Sequence, residues 1–291
     1  MFHEVFASGP PWRSAFWIGG VQAWITRAVA RLSNAVWTNS RYHGDWLRGA
    51  VAEPVPLYVR PVFSNVGEPA SVRPPRQRAP GLVIFGAQST RQRALALLKA
   101  HIDDLRALDI ASITEAGAGH ASVLSSDDIR HDDVGRPSAQ AIGELLQSHR
   151  FALIDYPSPH LGKSGVFAAY VVHGCVVLNT ARADVDADGL QSGRHYLTLR
   201  RGVRVAAGGE DHEAMAYAAR AWYGDHTLHH QAAELLAVLI SGSVSDRGLH
   251  EPPRSRTRRT ASSFRTVRTC GATYAQECGA LADAQPYCRD G

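Results

Sequence analysis

Along this chain, short unbroken apolar runs alternate with longer stretches whose apolar residues recur at helical spacing. The run "GLVIFGAQ" (81–88), opened and closed by glycine, predicts a buried strand. In "STRQRALALLKAHIDDLRAL" (89–108), Leu95, Leu98, Ile102, Leu105 and Leu108 fall on one helical face, with Ser89 placed to cap the first turn. Strands are predicted over 111–119 and 128–135, a helix opened by Pro137-Ser138 over 138–149, and a strand over 151–157. A loop, a helix over 164–173 and the strand "CVVLN" (175–179) follow. This succession predicts a parallel sheet with helices on both faces. A helical stretch over 212–240, interrupted near Gly224, closes the body.

The first part of the chain follows the same alternation in shorter pieces. Strands are predicted over 2–8, 35–40 and 55–59, with helices over 21–32 and 42–51. A Rossmann-like domain opens on a strand and a glycine-rich turn, which these residues lack. The N-terminal domain is therefore expected to be short of its first βαβ units, about 60–100 residues. The proline- and arginine-rich stretch 67–80 is the natural boundary. The expected organisation is an incomplete N-terminal Rossmann-like domain (1–66), a linker (67–80), a C-terminal Rossmann-like domain with closing helices (81–241) and a basic tail (242–291). The tail has no apolar periodicity and is expected to be disordered.

Composition refines this picture in three places. Apolar residues make up 45% and charged residues 20% of 291 residues, the balance of a globular protein with a sizeable core. No apolar run reaches the ~18–20 residues that span a bilayer, and His3 and Glu4 stand where a leader would need a basic and then an apolar segment. The chain is thus expected in the cytoplasm, with a peripheral contact at the inner face of the membrane left open. From Asp246 onward eight arginines face five acidic residues, so most of the formal charge of +4 belongs to the tail and the body carries no nucleic-acid signature. Cys175 reads as a small core residue, and Cys270, Cys278 and Cys288 form neither a zinc pattern nor an even disulfide set, so no metal site is expected.

The candidate chemistry centres on "YPSPHLGKSGVF", where Gly162-Lys163-Ser164 ends like a Walker A loop. That loop requires GxxxxGK[ST], and the first glycine falls on Pro157. Two prolines also remove the free N–H groups that would wrap a triphosphate, which argues against an ATPase or kinase. What remains is an anion site. A helix starting at Ser164-Gly165, at the carboxyl edge of a parallel sheet, presents unpaired N–H groups, with the charge of Lys163 beside them. Gly165 permits close approach of a ligand. A second position of the same kind follows Gly86, where Arg91 and Arg93 lie in the first turn of the next helix. Neighbouring strand ends open onto one crevice, so these arginines and Lys163 are expected to face a single diphosphate. The plain alternatives are a simple Ser164 cap and solvated basic side chains. A dinucleotide oxidoreductase would suit the sheet, but no GxGxxG follows a strand.

The segments "FHEVFASGPPWRSAFW", "ARLSNAVWTNSRY", "LVIFGAQSTRQRAL" and "YPSPHLGKSGVFAAYVVHGCVVL" resemble, in this order, segments of GT-B-fold glycosyltransferases of the group 1, or family 4, type. The resemblance covers residues 1 to about 240. It implies two Rossmann-like domains and a nucleotide-sugar, UDP- or GDP-linked, bound as substrate mostly by the second. The acceptor, a glycan, lipid or small molecule, would lie against the first, and the enzyme would need neither metal nor cofactor. It further implies that Gly86, Arg91 or Arg93, Lys163, Ser164 and Gly165 hold the departing diphosphate, that His3 faces the transferred sugar, and that Glu4, Trp12, Arg13 and Ser14 border the acceptor. Three positions depart from the family's pattern. Leu161 and Ala169 stand where its two spaced glutamates fall, and Ala87 stands at its first phosphate-contacting basic residue. Donor contacts therefore differ from the family's usual ones, and a non-catalytic remnant acting as a binding module is the competing expectation.

Overall fold

The computed structural model describes residues 2, 5–7, 9–51, 55–119, 129–181, 186–200 and 209–245. His3, Glu4, the tail after 245 and its three cysteines lie outside the described residues.

Two parallel sheets are present. The smaller pairs β1 (Val36–Thr38) with β2 (Leu57–Val59), in register Val36 with Leu57, and Phe2 adds a single bridge to Thr38. Of the strand expected over 2–8, that bridge is the extended pairing among the described residues. Helix α1 (Ser14–Arg31) precedes β1, and α2 (Arg41–Arg48), capped by the Ser40 hydroxyl, joins β1 to β2. A small core of Val5, Ala30, Val36 and Leu47 holds this part together.

The larger sheet has six parallel strands, β3 (Ala79–Phe85), β4 (Ser112–Ala116), β5 (Arg130–Asp133), β6 (His149–Ile154), β7 (Val176–Asn179) and β8 (Leu197–Thr198). Their spatial order is β5-β4-β3-β6-β7-β8, a doubly wound arrangement whose direction of progression reverses between β3 and β6. Helices α3 (Gln88–Leu98), α4 (Ile102–Ala107), α5 (Ala139–Ser148), α6 (Gly165–Val172), α7 (Gly209–Gly224) and α8 (Leu228–Ser245) complete the order. One apolar core, including Val83, Phe167 and Tyr170, lies on one face of the sheet, and a second, including Leu82, Leu95 and Phe151, lies on the other. Burial on both faces explains why the central strands read as continuous apolar runs.

Two expectations are corrected. The helical pattern over 89–108 is not one helix: α3 ends at Leu98, a 3-10 turn spans Lys99–His101, and α4 restarts with His101 and Asp104 joined at 2.8 Å. Ser89 is not the cap of α3. Ala87 occupies that position with no side-chain bond, so this helix starts uncapped.

The connecting segment 60–78 is pinned rather than loose. The Val62 N–H donates to Gly162 O at 2.8 Å, Ser64 N–H to Tyr223 Oη at 2.8 Å, and Tyr223 Oη to Glu68 at 2.6 Å. Arg60 and Glu234 of α8 form a two-pronged ion pair, and Gln231 Nε2 donates to Pro61 O at 2.8 Å. The closing helix thus returns to the smaller sheet.

Candidate functional site

At the reversal between β3 and β6 a cavity of about 170 Å³ opens at the carboxyl ends of both strands. Gly86, Ala87 and Thr90 line it from the β3 side, Asp155 and Tyr156 from β6, and Ser164 from the start of α6. The chain leaves β3 through Gly86 at φ 129°, a conformation that side chains rarely adopt. Two central strands diverge here, and the gap is closed by a side chain. Tyr170 Oη accepts from Phe85 N–H at 3.0 Å and donates to Leu153 O at 3.0 Å. Burial pushes the Tyr170 phenol well above its ordinary range, so it stays protonated.

The floor of α6 is built as the sequence implies. Ser164 caps it, its hydroxyl accepting from Phe167 N–H at 3.1 Å, and every residue from Phe167 to Val172 is buried. Gly165 opens the first turn, and a Cβ added there would lie 3.4 Å from Asn65. Lys163 ends the 3-10 turn Ser158–Lys163 immediately ahead of the cap and is half-buried.

Arg91 is the principal correction. It is fully buried and spends itself on the protein. Nε pairs with Glu115 at 2.6 Å, Nη1 donates to Gly86 O at 2.5 Å, and Nη2 to Ala118 O at 3.1 Å and Gly119 O at 2.5 Å. A guanidinium so enclosed cannot also grip a diphosphate; it shapes the loop edges of the crevice instead. Arg93 is partly exposed and pairs with Asp155, donating also to its carbonyl at 3.2 Å. Of the residues singled out from the sequence, Gly86, Arg91 and Ser164 line the cavity; Arg93, Lys163, Gly165, Trp12, Arg13 and Ser14 do not. Leu161 and Ala169 are buried in the apolar core, where a glutamate would be stripped of water.

Sequence reasoning missed two parts of this edge. Asn179, at the end of β7, donates to Tyr156 O at 2.9 Å and accepts from Tyr156 N–H at 3.2 Å, fixing the loop that leaves β6. An asparagine closing the run "CVVLN" is the one sequence signal for it. The second part is Asp188, at φ 53° in the loop after β7. Its carboxylate accepts from Arg41 N–H at 2.7 Å, joining this loop to the first turn of α2 beside a cavity of about 390 Å³ lined by Tyr42, Asp45 and Pro159 among others. Burial pushes the Asp188 carboxyl above its ordinary 3.8, against the pull of the Arg41 N–H. The folded chain therefore holds this proton more tightly than the unfolded one. The contribution to stability is complete below about pH 4 and is lost as pH rises through the raised value. Asp188→Asn keeps the acceptor and tolerates the backbone angle. It is expected to stabilise the chain in urea denaturation at pH 7 and to change nothing at pH 3.

No protein-family model matches the chain, and no curated protein matches it in sequence. Solved structures do match in backbone. Sucrose-phosphate synthase from Thermosynechococcus elongatus superposes with a TM-score of 0.50 at 12% identity, over 78% of this chain and 62% of that one. The α,α-trehalose 6-phosphate synthase of Burkholderia multivorans gives 0.52 at 8% identity, over 85% and 67%. The fold is GT-B. TarM matches at 0.50 and 9% identity, over 81% of this chain and 48% of that one. The chain thus spans about half to two thirds of the length of these GT-B proteins, and what it shares with them is the path of the backbone.

Proposed function

We propose that this chain is a glycosyltransferase, or the larger part of one, of the group 1 or family 4 type. It would transfer a sugar from a UDP- or GDP-linked donor to a glycan, lipid or small-molecule acceptor without a metal ion. The observation that carries this reading is the cavity at the β3–β6 reversal, flanked by the capped start of α6. In open parallel sheets that crevice is where nucleotides bind, and helix N-terminal amides favour phosphate. The donor's diphosphate is assigned to the first turn of α6, with Lys163, Ser164 and Gly165 around it. Negative charge grows on the leaving diphosphate as the anomeric C–O bond breaks, and fixed N–H dipoles plus the Lys163 ammonium stabilise it without reorganising. Arg93 stands beside this site through Asp155, and Gly86 lets the backbone turn away from the ligand. Residues 81–241 form the donor domain in this reading and 1–66 the acceptor side, where His3, Glu4, Trp12, Arg13 and Ser14 are assigned.

UDP or GDP at a hundredfold excess over Kd is expected to raise Tm by about 5–10 °C. Lys163→Ala should abolish that rise. A chain whose Tm ignores every nucleoside diphosphate and nucleotide-sugar would refute the reading. A second reading has its own support. The buried Leu161 and Ala169, at the places of the family's glutamates, suit a remnant that binds nucleotide without turning it over. A Tm rise with no transfer or hydrolysis at high protein concentration would select it.

A further inference from the structure

We propose that the outward face of α1 docks on an anionic lipid surface, a property independent of the transfer reaction. The helix has two apolar faces, and the fold uses one. Inward, Thr26 donates from Oγ1 to Val5 O at 2.7 Å, Ala30 is buried, and Gly19 lies so close to the chain that an added Cβ would stand 2.2 Å from Ala7 O. Outward, Trp17, Val21, Trp24, Ile25 and Leu32 stand in solvent, with exposures of 70% for Trp17, 69% for Trp24 and 86% for Leu32. At about 100° per residue these positions share one arc of about 100° in which no charged residue of the helix falls. A helix apolar on both sides is normally buried on both.

Charge indicates what covers it. From residue 5 to residue 44 there is no aspartate or glutamate, while Arg13, Arg27, Arg31 and Arg41 are present. Arg13, Arg27 and Arg31 are exposed and, at helical spacing, fall within about 40° of one another along the flank beside Trp17 and Trp24. Arg27 stacks over Trp46 at 4.6 Å, and Arg31 is braced by Ala50 O at 3.2 Å, so both are held along that flank. Tryptophan and aliphatic side chains on one arc, with an arginine row at its edge, match the acyl boundary and phosphate layer of an acidic bilayer. Among the described residues no helix is long and apolar enough to cross a membrane, so α1 would lie in the plane of the interface.

The test is flotation of the full chain with vesicles of phosphatidylcholine alone and with phosphatidylglycerol added. Binding is expected to the acidic vesicles only, with quenching of tryptophan fluorescence by brominated lipid. Trp17→Glu with Trp24→Glu should lower the bound fraction at least tenfold with the chain still folded, because Trp24 stands in solvent and Trp17 gives up only the exposed bond from its Nε1 to Pro11 O at 2.8 Å and its edge contact with Phe16. Replacing Arg254, Arg256, Arg258 and Arg259 of the tail with glutamine should leave binding in place. The proposal is overturned if the double tryptophan variant binds as well as the parent, or if the tail variant alone abolishes binding. It is equally overturned if the parent ignores vesicles and self-associates through α1 in sedimentation velocity, which would make a second copy the occupant.

Discussion

Arg91→Met is expected to destabilise the chain by about 3–5 kcal/mol, read as a lowered urea midpoint at unchanged slope. The loss follows from what the guanidinium encloses. Glu115 lies in β4 beside Ile84 of β3, fully buried, with His131 at 3.2 Å and Arg91 at 2.6 Å. Removing the cation strands that carboxylate in an apolar layer and unpairs the carbonyls of Gly86, Ala118 and Gly119. Against a total of about 5–15 kcal/mol, the single change leaves a marginal fold. Arg91→Met combined with Glu115→Leu removes both charges and should recover the part of the loss due to the stranded carboxylate, while the carbonyls of Gly86, Ala118 and Gly119 stay unpaired; a merely misfolding single variant would show no such recovery. Had Arg91 served the ligand, the single variant would keep its stability and lose nucleotide binding.

Arg91 also shows where legibility in the sequence ended. Spacing placed it correctly in the first turn after β3, but nothing local announced that Glu115 would be its partner. The available signal was Glu115 itself, a carboxylate inside the strand "SITEA", which burial obliges to find a cation. The parallel register that brings the two together is a tertiary fact. The alternation of buried strands with helices and the capped start of α6 were legible, because apolar runs and the Ser164-Gly165 step depend on neighbours in sequence, whereas the order of the strands does not. Helix α1 begins at Ser14, seven residues earlier than its periodicity suggests, because Gly19 and Gly20 imitate a loop. In the fold Gly19 is where the helix backbone meets Ala7 O, an approach no side chain allows. β8, two residues long, is too short for any period to register.

The second large effect is expected at Tyr170, which the apolar pattern of α6 makes look like ordinary core. Between Phe85 and Leu153 its hydroxyl replaces a rung of the β3–β6 ladder, whose register ends at Val83 with Ala152. The central strands can therefore part at the crevice without leaving an N–H and a C=O unsatisfied in the core. Tyr170→Phe keeps the ring and its edge-on packing against Phe85 at 5.3 Å but removes both bonds. With two buried backbone groups orphaned at about 1–3 kcal/mol each, a loss of about 2–6 kcal/mol is expected. Hydrogen exchange separates this from a uniform weakening. The Phe85 amide should lose protection by far more than amides of β7, because the variant opens the sheet where the cavity lies. Equal loss across the sheet would mean that the hydroxyl fills space but does not hold the strands. The same crevice thus sets stability through Tyr170 and Arg91, whereas its proposed chemistry rests on the start of α6.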